Sequence, residues 1–285
     1  MDARGYDSNG IMVPKEMMQS REDTVLHPSN LLSGPFYIED AEVGDTLLVQ
    51  IENIKLNRAT AWSAVVPHFG SFTEEDRRRR FLLNEPLERM TFDWRLDMDN
   101  NTGVWKLSKS KLKAVEIPLH PFIGSIGVAP RYGRWEMSLS PGEYGGNMDC
   151  PETCEGTTLH LPVFVRRGYL VLGDIHAAQG DGELCGVALE TTAEVMLTID
   201  VLKCKEITWP RLENSEYIMV VGSSRPLMEA YKIAHKELVD WMVEDYGFDR
   251  WEALHLLSQV GRCRVGNVVD PNYSIVAKFP KKYLP

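Results

Sequence analysis

Between Gly173 and Glu183 the chain reads GDIHAAQGDGE, with Asp174, His176, Gln179, Asp181 and Glu183 set among three glycines. An apolar run, Tyr169 to Leu172, precedes it and reads as a strand ending at Gly173. Residues two apart on a strand project from one face, so Asp174 and His176 are placed together if extended geometry continues. A carboxylate and an imidazole so placed can share a divalent cation, or one can orient the other as a base. Gly180 and Gly182 tolerate backbone angles that other residues resist, and a turn there can fold Asp181 and Glu183 back towards Asp174 and His176. The same eleven residues also suit a polar hairpin loop, and spacing alone does not separate the two readings.

Two more stretches carry polar groups beside glycines. In PGEYGGNMDC, Pro141 to Cys150, Asn147 and Asp149 stand two apart behind Gly145 and Gly146. They are either a second donor pair or Asx side chains bonding their own turn. In HPFIGSIGVAP, His120 to Pro130, Gly124 and Gly127 either expose backbone N–H groups to a small ligand or let two strands cross closely. No Gly-Lys-Ser/Thr follows, so this is neither a phosphate loop nor a dinucleotide fingerprint. Other hydrolytic chemistries lack their signatures: there is no Gly-x-Ser-x-Gly elbow and no Ser–Lys amidase stretch. Cys150 near Asp149 and Cys185 near Glu183 are conceivable nucleophiles, but free cysteines mostly serve as inert buried hydrophobes. Cys150 and Cys154 have three residues between them rather than the two usual for a zinc turn, which argues against a cysteine zinc site with His160.

These residues need a frame. TLLVQIENIKL from Thr46, behind the turn signal VGD, alternates Leu48, Gln50 and Glu52 with Val49, Ile51 and Ile54 well enough to predict a strand, as do TGVWKLS from Thr102 and AVEIPL from Ala114. HLPVFVRRGYLVLGD predicts a strand, a turn around Arg166 and Arg167, and a second strand. The clearest alternation is TTAEVMLTIDVLK, with Val195, Leu197, Ile199 and Val201 on one face and Glu194, Met196, Thr198 and Asp200 on the other. Late in the chain the period changes. Leu227, Tyr231, Ala234, Leu238, Trp241 and Met242 form a helical stripe, opened near Pro226 and closed at Gly247. A second helix starts at Asp249, with Glu252 at the capping-box position. His235 and His255 ride on these helices without partner ligands nearby in sequence. The expected fold is mainly β, a sandwich-like body with a helical hairpin near the C-terminus, rather than a parallel α/β sheet.

The 285 residues suit one domain, 1–285, and the net charge of -10 argues against nucleic-acid backbone as the main partner. The one dense basic run, Arg77 to Arg80, reads as a solvated helix face. No apolar run reaches the length of a membrane span, no secretory leader is visible, and five unevenly spaced cysteines suggest reduced thiols in the cytoplasm.

Taken in order, IGSIGVAP, GGNMD and GDIHAAQGDGE, with SGPFYIEDAEVGDTLLVQI before them and SSRPLMEAYKIAHKELVDWMVEDYGFDRWEALHLLSQVG after, resemble the acetamidase/formamidase family over nearly the whole chain. The resemblance implies a cytoplasmic β-sandwich hydrolase of small primary amides, giving carboxylate and ammonia. It implies dependence on a divalent metal, zinc or calcium, and a homo-oligomer of two or more chains. It places Asn147, Asp149, Asp174, His176, Gln179, Asp181 and Glu183 in or near the active site. With the chemistry of these residues, Asp149, Asp174 and His176 are the expected metal ligands and Glu183 the proton carrier. Asp181 serves in catalysis or at a second ion, and Asn147 and Gln179 orient the substrate amide. The segment that MDARGYDSNGI resembles follows a further strand in relatives, so the chain is expected to start inside it, with Asp2 near an early acidic position. His120 and Phe122 depart from the family pattern ahead of IGVAP, which bears on substrate preference.

Overall fold

The computed structural model describes residues 30–66, 69–71 and 90–285; Asp2 and the Arg77–Arg80 run lie outside them. The described chain forms strands β1 (Leu32–Phe36), β2 (Thr46–Leu56), β3 (Thr60–Val65), β4 (Met90–Asp97), β5 (Thr102–Lys106), β6 (Ala114–Pro118), β7 (Phe122–Gly127), β8 (Pro141–Gly142), β9 (Gly145–Asn147), β10 (Thr158–Pro162), β11 (Leu170–His176) and β12 (Glu190–Thr191). Then follow β13 (Ala193–Leu202), β14 (Arg211–Glu213), β15 (Tyr217–Ser224), helices α1 (Leu227–Tyr246) and α2 (Arg250–Val260), β16 (Arg262–Val265) and β17 (Tyr273–Pro280).

Two antiparallel sheets result. One runs β6-β5-β4-β3-β12-β11-β7-β9-β8, with β1 also paired to β11; the other runs β13-β2-β10-β14-β15-β17-β16. Apolar residues of both sheets, among them Ile123, Ile126 and Leu172 from the first and Leu47, Val49 and Leu161 from the second, share one core. β15 and β17 are buried on both faces. Met219, Val221 and Val276 enter that core, whereas Ile218, Val220, Ile275, Ala277 and Phe279 turn the other way beneath the helices. The molecule is therefore sheet on sheet with a helical layer outside the second sheet. α1 lies so close that a Cβ on Gly222 would stand 2.7 Å from Ala234 N and touch Ala230 O.

The strands expected from Thr46, Thr102 and Ala114 form where alternation placed them, with Val49, Ile51 and Ile54 all buried. Ile54 is buried although out of phase with Ile51, because the pairing slips between Met196 and Leu197 opposite it, a bulge that inserts one residue into β2. β13 is an edge strand, so its apolar face is only half covered, and Ile199 is 37% exposed. HLPVFVRRGYLVLGD does give strand, turn and strand, but β10 and β11 join different sheets, and β11 runs on past Gly173 to His176. In α1 the buried stripe passes through Ala230 rather than Tyr231, whose ring stacks on His235 instead. Gly247 closes α1 at φ 70°, and Asp249 accepts from the N–H groups of Trp251 and Glu252 to open α2. Among the described residues no helix is long and apolar enough to cross a membrane.

The turn before β2 is held by one buried carboxylate. Asp45 accepts from the N–H of Glu42 at 2.9 Å, from that of Cys204 at 2.8 Å and from Lys203 Nζ at 2.5 Å. The Lys203 bond, with those N–H groups and against the effect of burial, lowers Asp45 from 3.8 to about 2. A carboxyl whose folded pKa is depressed stabilises the fold above its unfolded pKa and loses that contribution as pH falls through the folded one. Asp45→Asn should therefore cost roughly 1–3 kcal/mol at neutral pH. Urea midpoints should show that gap at pH 7 and show it closing between pH 4 and 2; a gap constant over that range would refute the assignment.

Candidate active site

The polar centre lies where β7, β9 and β11 pair side by side. β11 is regular to Gly173, then Asp174 takes φ 60°, a left-handed angle costly to a residue with a Cβ. The kink lets Ile175 keep facing the core while Asp174 and His176 turn to one site, with Asp174 Oδ1 3.3 Å from His176 Nε2. Asp149, at φ 46°, and Glu183, at φ 49°, share this strained conformation. Strain of this kind persists where surrounding contacts enforce it, and it clusters at functional sites.

Asp149, His176 and Glu183 place one donor atom each within 4.8 Å of one another, and so do Asp174, His176 and Glu190. His176 is thus shared by four carboxylates, with Glu190 Oε1 3.4 Å from its Nε2. Asp149 and His176 are buried, Glu183 nearly so, and the side chains of Asp174 and Glu190 are 17% exposed. Burial and the carboxylates of Glu183, Asp270 and Asp174 push Asp149 well above the usual carboxylate range. Burial likewise lifts Glu183 well above its range, with His176 opposing and Asp270 and Glu190 adding to the rise. Burial pulls His176 down, but Glu190 and Asp174 outweigh it and carry the imidazole up to about 10. Asp174 stays below its usual value despite burial, because His176 and hydrogen bonds from Ser125 and Asn30 favour its charged form.

Gln179 settles the tautomer of the imidazole. Its Nε2 donates to the backbone carbonyls of Asp149 at 2.9 Å and Gly266 at 3.0 Å, so its Oε1 must face His176 Nδ1, 3.0 Å away. Nδ1 then carries hydrogen, and Nε2 points at Asp174 and Glu190. Two carboxylate oxygens facing Nε2 require positive charge there: a proton on Nε2, as the raised pKa of the ring implies, or a cation in its place.

Asn147 is equally committed. Its Nδ2 donates to Asp149 Oδ2 at 3.0 Å and Asp270 Oδ2 at 2.7 Å; its Oδ1 accepts from Asn30 Nδ2 at 2.7 Å and from Ser125 Oγ. Asn147 and Gln179, expected to orient substrate, therefore spend their amide groups on the protein. Asp181 is not brought to the cluster: its side chain is 65% exposed and pairs with Arg264 Nε at 3.0 Å. The turn at Gly182, φ 85°, returns Glu183, but Asp181 turns outward. Gly124 faces the site, where a Cβ would stand 2.8 Å from His176 Cε1; Gly127 packs against Gly146 and Tyr144. Phe122 closes one side, its ring edge-on to His176 at 5.0 Å between centroids.

Sequence reasoning missed Asn30, Ser125, Glu190 and Asp270. Glu190 was visible only as an acid opening the strand after the GDGE turn, and Asp270, in VVDPN, reads as an ordinary turn residue. All five cysteines are unpaired. Cys150 is buried, donates to Glu152 Oε2 and has its thiol pushed well up by burial, which fits an inert residue; burial raises Cys185 too. His160 lies against Trp241 and Glu213, not a metal site. A groove of about 1310 Å3 meets the site at Glu183 and Gln179 and continues past Phe122, Leu119 and Trp94.

A family model described as the acetamidase/formamidase family matches residues 8–136 and 136–284. The structure is similar to an acetamidase from Yersinia enterocolitica, at 38% identity and a TM-score of 0.80 over 90% of this chain and 75% of that one. A formamidase from Methylophilus methylotrophus is 35% identical over 68 residues, 23% of this chain and 16% of its own length. A putative formamidase from Schizosaccharomyces pombe is 27% identical over 226 residues, 60% of this chain and 52% of its own. The chain thus spans about half or less of the curated relatives it matches.

Proposed function

This chain belongs to the acetamidase/formamidase family, and from that premise we propose that it is a metal-dependent hydrolase of the C–N bond of small linear amides, releasing carboxylate and ammonia. The observation that carries the reading is the buried His176 imidazole, its Nε2 facing Asp174 and Glu190 and its ring within reach of Asp149 and Glu183.

The donor set fits a divalent cation. Mixed imidazole and carboxylate ligands suit zinc, and Asp149 Oδ1 is buried without a hydrogen-bond partner. His176 would hold the ion with Asp174 and Glu190 or with Asp149 and Glu183; the expected trio Asp149, Asp174 and His176 takes one carboxylate from each group. When bound, such an ion polarises the amide carbonyl and lowers the pKa of water. The chain's own residues do the rest. Gln179 holds the imidazole by Nδ1, and Asn147 holds Asp149. Glu183 takes the proton from the attacking water and delivers it to the departing nitrogen. Phe122 and the surrounding burial keep bulk water from the reacting atoms. In this reading the protein works in the cytoplasm as a homo-oligomer, with zinc as the catalytic ion and calcium as a further candidate.

The test is ammonia release across formamide, acetamide, propionamide, longer amides and a lactam. The proposal expects turnover of the short linear members. No ammonia from any of them would leave a metal- or ligand-binding β protein. Hydrolysis of a larger or cyclic amide by the same residues is a second reading, favoured by the groove that meets Glu183, and a preference for the longest members would select it.

A further inference from the structure

The loop between β16 and β17 supplies an acidic side chain that none of the motifs contains. Asp270 is 1% exposed; its Oδ2 accepts from Asn147 Nδ2 at 2.7 Å, and its Oδ1 is buried without a hydrogen-bond partner. The other hydrogen of the same Asn147 amide goes to Asp149 Oδ2 at 3.0 Å. Asn267, from the same loop, donates to Asp149 Oδ2 and to the Asn147 carbonyl, each at 3.2 Å. Its own Oδ1 accepts from the N–H groups of Val269 and Asp270 at 3.4 Å. Asp149 Oδ2 is thereby turned into the protein, while Oδ1 stays on the His176 side: a Cβ on Gly124 would meet both Asp149 Oδ1, at 3.0 Å, and His176 Cε1, at 2.8 Å. The end of β16 and the loop also grip the GDIHAAQGDGE stretch, since Gly182 N donates to the Val265 carbonyl at 3.0 Å and Val268 N to the Gly182 carbonyl at 3.1 Å.

We propose that Asp270 is a positioning residue of the active site: acting through the Asn147 amide, it holds Asp149 with Oδ1 presented to His176 and Glu183. The reasoning is a count of donors. The Asn147 amide is oriented on its oxygen side by Asn30 and Ser125, so its two N–H groups have fixed directions, one for each aspartate. Removing Asp270 leaves one buried N–H without a partner. The amide can then turn towards another acceptor and release Asp149. Outer groups that orient metal ligands typically govern affinity and activity by 10–100-fold.

The inference rests on the metal-dependent amidase reading, and the test separates the two. Zinc affinity is measured by competition with a chromophoric chelator, and formamide kinetics are measured alongside, for the parent, Asp270→Ala and Asp270→Asn. Asp270→Ala should weaken zinc by about 10–100-fold and lower kcat by a similar factor with KM within about twofold. Asp270→Asn, whose amide oxygen can still accept from Asn147, should keep zinc affinity and kcat within about threefold of the parent. Asp270→Ser takes the place of the alanine variant if that does not fold, as thermal unfolding reports. An alanine variant equal to the parent, or an asparagine variant as impaired as the alanine one, overturns the assignment. A parent that binds no zinc ends the metal reading, and kinetics alone then judge Asp270. A parent inactive on formamide ends the small-amide reading, and zinc affinity alone judges it. A parent that does neither overturns both.

Discussion

His176→Ala should abolish amide hydrolysis, with kcat/KM down by about 10³-fold or more. His176 is the nitrogen donor common to both groups of metal-competent residues. Every other member of those groups is a carboxylate, and Asp149, Asp174, Glu183 and Glu190 have no second imidazole among them. Removing the ring takes away the ligand that Gln179 orients, the positive or metal-bearing partner of Asp174 and Glu190, and the surface against which Phe122 packs. Leaving charges buried without their partner commonly costs about 3–5 kcal/mol, so the thermal midpoint should move as well. Ammonia assays and bound-metal content on the same preparation check this. Turnover within twofold of the parent would remove His176 from the mechanism.

Gly124→Ala should be nearly as damaging although it adds a single methyl group. The new Cβ would lie 2.8 Å from His176 Cε1, 2.9 Å from the Asp174 carbonyl oxygen and 3.0 Å from Asp149 Oδ1. The carbonyl belongs to the kinked β11 backbone and cannot swing away, so the three site elements must part. A displacement near 1 Å in a positioned site can cost about 10²-fold in rate, and overpacking costs roughly 1–3 kcal/mol of stability. Gly180→Ala is the control from the glycine-rich turn itself. A Cβ there has no neighbour within 4 Å and the backbone angle is not left-handed, so activity should stay within about twofold. Equal activity in the two variants would mean that Gly124 does not set the spacing of the site.

What each glycine faces was not legible in the chain: Gly124 stands in the apolar run FIGSIG and Gly180 in the polar QGDGE turn, and neither setting tells which one lies against the site. Much else was legible. Alternation located β2 and β13 and the late helices, because side-chain period survives in sequence when one face is buried. The motif residues Asp149, Asp174, His176, Gln179 and Glu183 do converge. Their convergence does not follow from regular strand geometry: Asp174 reaches the site through a left-handed kink that no periodicity encodes. The same limit explains Asp181, which shares Glu183's turn but points outward to Arg264. Asn30, Ser125, Glu190 and Asp270 escaped because each is a lone polar residue brought in by long-range pairing, the last through a hairpin loop more than 80 residues beyond Glu183 in the chain. The donors and acceptors that tie the Asn147 and Gln179 amides to the protein are likewise counted only in the folded chain.

The central claim is that His176 and its carboxylates hydrolyse small amides with a divalent ion in place. Exhaustive chelation of the purified protein, followed by ammonia release from formamide and acetamide, tests it most directly. Activity should fall by about 10²-fold or more and return on stoichiometric zinc. Full activity in protein shown to be free of metal would contradict the account.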